Sequence, residues 1–148
     1  PWGLSWDAEN YYLIGYDSDA GKIKHYRVDK MLHIQMMEEQ REGGEIYRKL
    51  DLASYSRKNF GMFGGKEEKV RLRVRNDLAG VIIDRFGKEV MMVPGQEGYF
   101  TVSVDVNVSS QFFGWIFALG DGMEILGPEW VRKEMKREIG KIVELYER

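Results

Sequence analysis

Four side chains near the start of the chain are of types that hold anions: Tyr12, His25, Arg27 and Lys30. The segment Ile23 to Val28 reads as a strand, on which successive side chains take opposite faces. His25 and Arg27 then point one way, and Tyr26 and Val28 the other. If Tyr26 and Val28 fill a core, His25 and Arg27 face outward, with Lys30 in the turn that follows. On the preceding strand Tyr11 and Leu13 share a face and Tyr12 takes the opposite one. With Tyr11 and Leu13 in the core, Tyr12 lies beside His25 and Arg27. An aromatic ring next to Arg, Lys and His suits a ligand with a phosphate and a stackable base. The competing account makes all four ordinary exposed residues of a β surface.

Other chemistry is excluded on spacing. There is no G-x-x-x-x-G-K-[ST] phosphate loop, no G-x-G-x-x-G and no G-x-S-x-G elbow. His25 and His33 are eight apart, with no H-E-x-x-H context, so no metal site is expected. Asp17 and Asp19 sit in a turn, where Asp is favoured for backbone reasons alone. The absence of cysteine removes disulfides, thiolate metal sites and cysteine nucleophiles. No catalytic residues and no cofactor are assigned, and the chain reads as a non-enzyme.

The bulk properties agree with a binding module. The 148 residues allow one ordinary domain or two small ones, and 43% hydrophobic content supplies a core. With 22 basic and 24 acidic residues the net charge is -2, which argues against general duplex binding but leaves room for a local basic pocket. No apolar run is long enough for a transmembrane helix and no secretory signal is visible, so the expectation is a cytoplasmic protein without a membrane partner. The chain begins at Pro1 and reads as a fragment or processed form.

These residues need elements to position them. Residues 1–36 read as strands: Trp2, Leu4 and Trp6 alternate, Asp7 to Asn10 turns, and Tyr11 to Tyr16 is aromatic and branched. Asp17 to Gly21 is a loop, and Met31 to Met37 reads as a fourth strand. Short strands joined by tight turns suggest a small barrel. Residues 38–68 are charged and glycine-rich around one short helix, which Asp51 can cap and which runs through Phe60.

From residue 69 the pattern sharpens. Val70, Leu72 and Val74 alternate with Arg71, Arg73 and Arg75. Asn76 or Asp77 can cap a helix carrying Leu78, Val81, Ile82 and Phe86, ended by Gly87. Glu89 to Val93 and Phe100 to Val108 read as strands. Ser109 or Ser110 caps a helix through Leu119, Met123 to Leu126 is a strand, and Pro128 opens a last helix with Val131, Met135, Ile139, Ile142 and Tyr146 on one stripe. Strand, helix, strand, strand, helix, strand is a split βαβ order of ferredoxin type. Phe112, Phe113, Trp115, Ile116 and Phe117 are too many for one buried stripe; that helix is either buried on two sides or presents a patch to a partner. The Arg71, Arg73, Arg75 face is read as solubility and ion pairing.

Several stretches together resemble the WYL domain: Pro1-Trp2-Gly3-Leu4, Asn10-Tyr11-Tyr12-Leu13-Ile14-Gly15-Tyr16, and His25-Tyr26-Arg27-Val28-Asp29-Lys30-Met31. Tyr11-Tyr12-Leu13 stands for the naming tripeptide, with Tyr in place of Trp, and Tyr26 to Lys30 is similar to the family's F-R-L-D-R stretch. Gly80 to Lys88, Ser110 to Trp115 and Gly127-Pro128-Glu129 look like the C-terminal extension of such regulators.

The resemblance implies an α+β chain: a small Sm-like β-barrel, incomplete at its N-terminus, then a ferredoxin-like α/β sandwich with an extra C-terminal helix. The expected division is 1–44 for the barrel, 45–68 for a connecting helix and linker, and 69–148 for the extension. It implies the sensing and oligomerisation part of a bacterial transcription regulator, usually a homodimer, with DNA bound by an N-terminal helix-turn-helix. The barrel would bind a nucleotide or single-stranded nucleic acid, with Tyr12 stacking, Arg27 and Lys30 on phosphate, His25 adding a hydrogen bond and Asp29 orienting the basic residues. Lys30 stands where the family commonly has Arg, which removes a bidentate fork. The alternative is a pure assembly module with no ligand, using the helix around Trp115.

Overall fold

The structure, a computed structural model, describes residues 1–7, 9–62 and 64–148, and for residues 53 and 54 the backbone alone. The chain divides into two units, Pro1–Ser56 and Arg57–Arg148. It is a mixed α/β protein with two separate antiparallel sheets, of three and four strands, and neither closes into a barrel.

In the first unit, β1 (Gly3–Asp7), β2 (Asn10–Asp17) and β3 (Lys22–Arg27) form a meander in sequence order. The expected turn between the first two strands includes Ala8, which lies outside the described residues. The next turn is built as its composition predicts: Asp17 Oδ1 accepts from Ala20 N at 2.8 Å, and Asp17 also pairs with Lys24. That hydrogen bond from Lys24 holds the Asp17 carboxyl below its ordinary value.

The fourth strand expected at Met31–Met37 is absent. The segment is irregular, with Leu32, Ile34, Met36 and Met37 exposed. A strand exists only where a neighbour takes its backbone hydrogen bonds, and composition does not reveal whether that neighbour is present. Beyond it, α1 (Gly44–Arg48) and α2 (Leu52–Lys58) follow, α2 ending two residues short of Phe60. Gly43 permits the approach of α1: its φ is +79°, and an added Cβ would collide with the ring of Tyr16.

The second unit contains β4 (Lys66–Arg75), α3 (Ala79–Phe86), β5 (Met92–Pro94), β6 (Tyr99–Val108), α4 (Ser110–Phe117), β7 (Met123–Gly127) and α5 (Glu129–Tyr146), with sheet order β5-β6-β4-β7. Register explains the core. Val70, Leu72 and Val74 stand opposite Val104, Val102 and Phe100, and Leu72 and Val74 also face Ile125 and Met123 across β7. Ile82 of α3, Phe112 and Ile116 of α4 and Val131 of α5 pack onto this side of the sheet. The alternate residues stay partnered at the surface: Arg73 with Glu124 at 2.9 Å, and Arg75 with Asp77 and Asp121.

Two local expectations change. Neither Asn76 nor Asp77 caps α3; they form a tight turn, and Leu78 holds the cap position without a side-chain bond. Asp77 instead accepts from Arg75. The strand expected from Glu89 is confined to Met92–Pro94, because Val90 closes a turn back to Gly87. Of the two alternatives left for the helix around Trp115, the Trp115 ring itself is partly buried, 5.2 Å from Phe60 and 5.9 Å from Phe86. The exposed aromatic of α4 is Phe117. Ser109 does cap α4, accepting from Phe112 N at 3.3 Å.

Candidate anion-binding site

The register of the first sheet sets the site. Tyr12 pairs with Arg27 and Ile14 with His25, so these four share one face. Leu4, Trp6, Tyr11 and Tyr26 take the other. The grouping of Tyr12 with His25 and Arg27 is thus as the alternation implies, but the core lies on the opposite side from the one expected. Tyr12 is only 9% exposed and Ile14 1%, whereas Trp6 is 58% and Tyr11 56% exposed.

The reason is non-local. The segment after residue 40 covers the Tyr12 face: Tyr47 of α1 occupies the space a side chain at Gly3 would need, and the ring of Tyr55 of α2 lies 5.2 Å from His25, tilted by 52°. Burial pushes the Tyr55 hydroxyl pKa up. Trp2 fixes the covering segment, donating from Nε1 to Glu42 O at 2.6 Å, stacking on Tyr47 and carrying Arg41 over its ring.

At the end of β3 the face becomes accessible. Arg27 makes a two-point contact with Asp29, Nε to Oδ1 at 3.0 Å and Nη2 to Oδ2 at 2.8 Å, and Nη2 also donates to Asn10 Oδ1 at 2.8 Å. Of the five guanidinium N–H groups, three are used in these bonds, and the two on Nη1 belong to none of them. Lys30 Nζ lies 3.7 Å from the same carboxylate. The Arg27 hydrogen bond, followed by the charges of Arg27 and Lys30, holds the Asp29 carboxyl below its ordinary value; the reciprocal bond raises Arg27. With the Arg27 side chain 41% exposed, solvent screens the pair. Its effect is on geometry: a guanidinium clamped at two atoms keeps one orientation.

Arg27, Asp29 and Lys30 therefore form one cluster, with Tyr12 packed opposite Arg27. His25 lies two residues back along β3, partly buried against Tyr55. Asn10 and Tyr55 were not selected from the sequence, Asn10 because it reads as a turn residue and Tyr55 because its helix lies 30 residues beyond His25. Among the described residues no group of three or more acids and histidines is placed to hold a metal, and no helix is long and apolar enough to cross a membrane.

Comparison with known proteins gives two family matches. Residues 1–36 match the WYL domain, and residues 66–143, more than half the chain, match the WCX domain. No curated protein matches. Among solved structures, proteasome accessory factor B/C (PafBC) of Arthrobacter aurescens is similar over 91% of this chain, at 16% sequence identity and a TM-score of 0.40. The match takes up 20% of that protein's chain, so the present chain spans about a fifth of its length.

Proposed function

The chain belongs to the family of WYL domain-containing regulators that carry a WCX domain, and from this we propose that it is the sensing and assembly part of a bacterial transcription regulator rather than an enzyme. The effector is a phosphate-bearing anion, a nucleotide or single-stranded nucleic acid, held by Arg27 and Lys30. The observation that carries this reading is the clamped Arg27 guanidinium, presented beside Lys30 with its Nη1 edge outside the clamp. Asp29 and Asn10 position the fork. Tyr12 forms the wall behind Arg27, since a side chain this buried cannot offer a full face for stacking. His25 supports the wall, set against Tyr55.

DNA is read by a helix-turn-helix of the whole protein, and effector binding acts on it by favouring one arrangement of the parts. The strand order β5-β6-β4-β7 supports reading the second unit as ferredoxin-like with one added helix, and the meander of the first as an Sm-like sheet left open. Fluorescence anisotropy of a labelled single-stranded oligonucleotide tests the assignment. Arg27→Ala is expected to weaken binding at least about tenfold, the scale of a lost charge-assisted contact. Equal binding by both proteins removes the site.

A second reading, homodimer assembly without a ligand, is favoured by one observation. Leu32, Ile34, Met36 and Met37 are exposed on a segment that pairs with no strand. An exposed apolar segment with no strand partner of its own is the kind of surface that a second copy covers. Sedimentation velocity on the wild type and an Ile34→Asp variant separates the cases; a dimer that persists unchanged excludes this segment as the contact.

A further inference from the structure

In the second unit, α4, β7 and α5 line an open-sided groove of about 510 Å³. Its walls are Ile116 and Phe117 of α4, Met123 and Ile125 of β7, and Met135 and Ile139 of α5. A second groove of about 150 Å³ continues along the helix pair and shares Phe117, Met135 and Ile139 with the first. The size of the first lies in the range of small-molecule sites, which are mostly apolar with a few placed polar groups. Phe117 is 60% exposed on its rim, an aromatic left in water by the fold itself.

The charges around it are not balanced. Arg132 and Lys136 line the first groove, one turn apart on the same side of α5. Glu124 also lines it, but Arg73 holds that carboxylate at 2.9 Å. Glu138, beside the second groove, is taken by Lys141 at 2.6 Å. Arg132 has only a long contact to Glu129, at 3.5 Å, and no ion pair involves Lys136 among the described residues. Gly114 adds to the picture. It sits mid-helix in α4, where glycine weakens a helix. It lines the second groove, and a Cβ there would meet nothing within 4 Å.

We infer that the α4–β7–α5 groove of the WCX unit binds an amphipathic anion, a small molecule with an aliphatic body and one carboxylate. The body fills the apolar groove and runs toward Gly114, and the carboxylate meets Arg132 and Lys136. This is a second effector site, independent of Arg27.

The test uses dodecanoate, dodecanol and dodecyltrimethylammonium below their micelle concentrations, titrated into the chain by calorimetry. Dodecanoate is expected to bind one per chain, with dodecanol weaker and the cation weakest. An Arg132→Gln, Lys136→Gln double variant, changed only at the exposed side of α5, is expected to lose about tenfold for dodecanoate and to leave dodecanol unchanged. Gly114→Leu is expected to weaken dodecanoate while sparing octanoate, whose shorter body stays in the first groove. Circular dichroism and the melting temperature establish that each variant is folded. No saturable binding, or equal affinity for the three head groups, overturns the assignment. So does a dimer in sedimentation that Phe117→Asp dissociates, since a second copy then covers the groove. Loss of oligonucleotide binding by Arg27→Ala leaves this test unaffected, so the two sites succeed or fail separately.

Discussion

Tyr12 and Arg27 stand directly opposite one another on β2 and β3, one ring buried to 9% exposure and one guanidinium still reaching solvent. The two residues mark where the covered face of the first sheet meets its accessible rim.

That placement has a direct consequence for stability. Tyr12→Ala removes a buried aromatic and is expected to cost about 3 kcal/mol, within the range for large core truncations. Trp6→Ser, on the exposed face, loses an edge-to-face contact with Tyr11 at 4.7 Å and is expected to cost under about 1 kcal/mol. Urea midpoints measured by circular dichroism check the order. A larger loss from Trp6→Ser would mean that the sheet buries its other face.

The carboxylate that clamps Arg27 has its own signature. Asp29 is held below its ordinary value of 3.8 by Arg27 and then Lys30. A group with a depressed folded pKa contributes stability that is complete above the unfolded value and is lost as pH falls through the folded value. The Arg27–Asp29 clamp is therefore expected to stay intact across neutral and mildly acidic pH and to open only below 3.8. Carboxyl carbon shifts of Asp29 measured by NMR against pH should show that low midpoint, and Arg27→Ala should return it toward the ordinary value. An Asp29 midpoint indifferent to Arg27 would show that the clamp is not formed in solution.

The second unit has a sharper core. Leu72 is fully buried, with Val102 on one side and Ile125 on the other. Leu72→Ala is expected to cost about 2–5 kcal/mol, and Ser109→Ala, which removes the cap on α4, about 1 kcal/mol. Urea unfolding of each variant measures both losses. Equal effects would mean that β4 is not the centre of the sheet.

How far these features can be read from sequence depends on whether their causes are local. The alternation Val70, Leu72, Val74 and Phe100 to Val108 has its answer within each strand, and both strands form in register with those residues inside. Ser109 needs only the three residues after it to cap α4. The first sheet is different. Its alternation groups Tyr12 with His25 and Arg27 correctly, yet which face is covered depends on Tyr47 and Tyr55, far along the chain. The strand expected at Met31–Met37 fails for the same kind of reason: its composition suits a strand, but no neighbour pairs with it. The family resemblance, not the local pattern, points to Asp29, whereas Asn10 becomes a partner of Arg27 only through the β2–β3 register.

The most direct test of the proposed effector site is a two-dimensional proton–nitrogen spectrum of the chain titrated with a single-stranded oligonucleotide. The account predicts saturable shifts at the Arg27 Nε–H and at the backbone amides of Asn10, Asp29 and Lys30. Shifts confined to Trp6, Tyr11 and Tyr26 on the opposite face, or none that saturate, would contradict it.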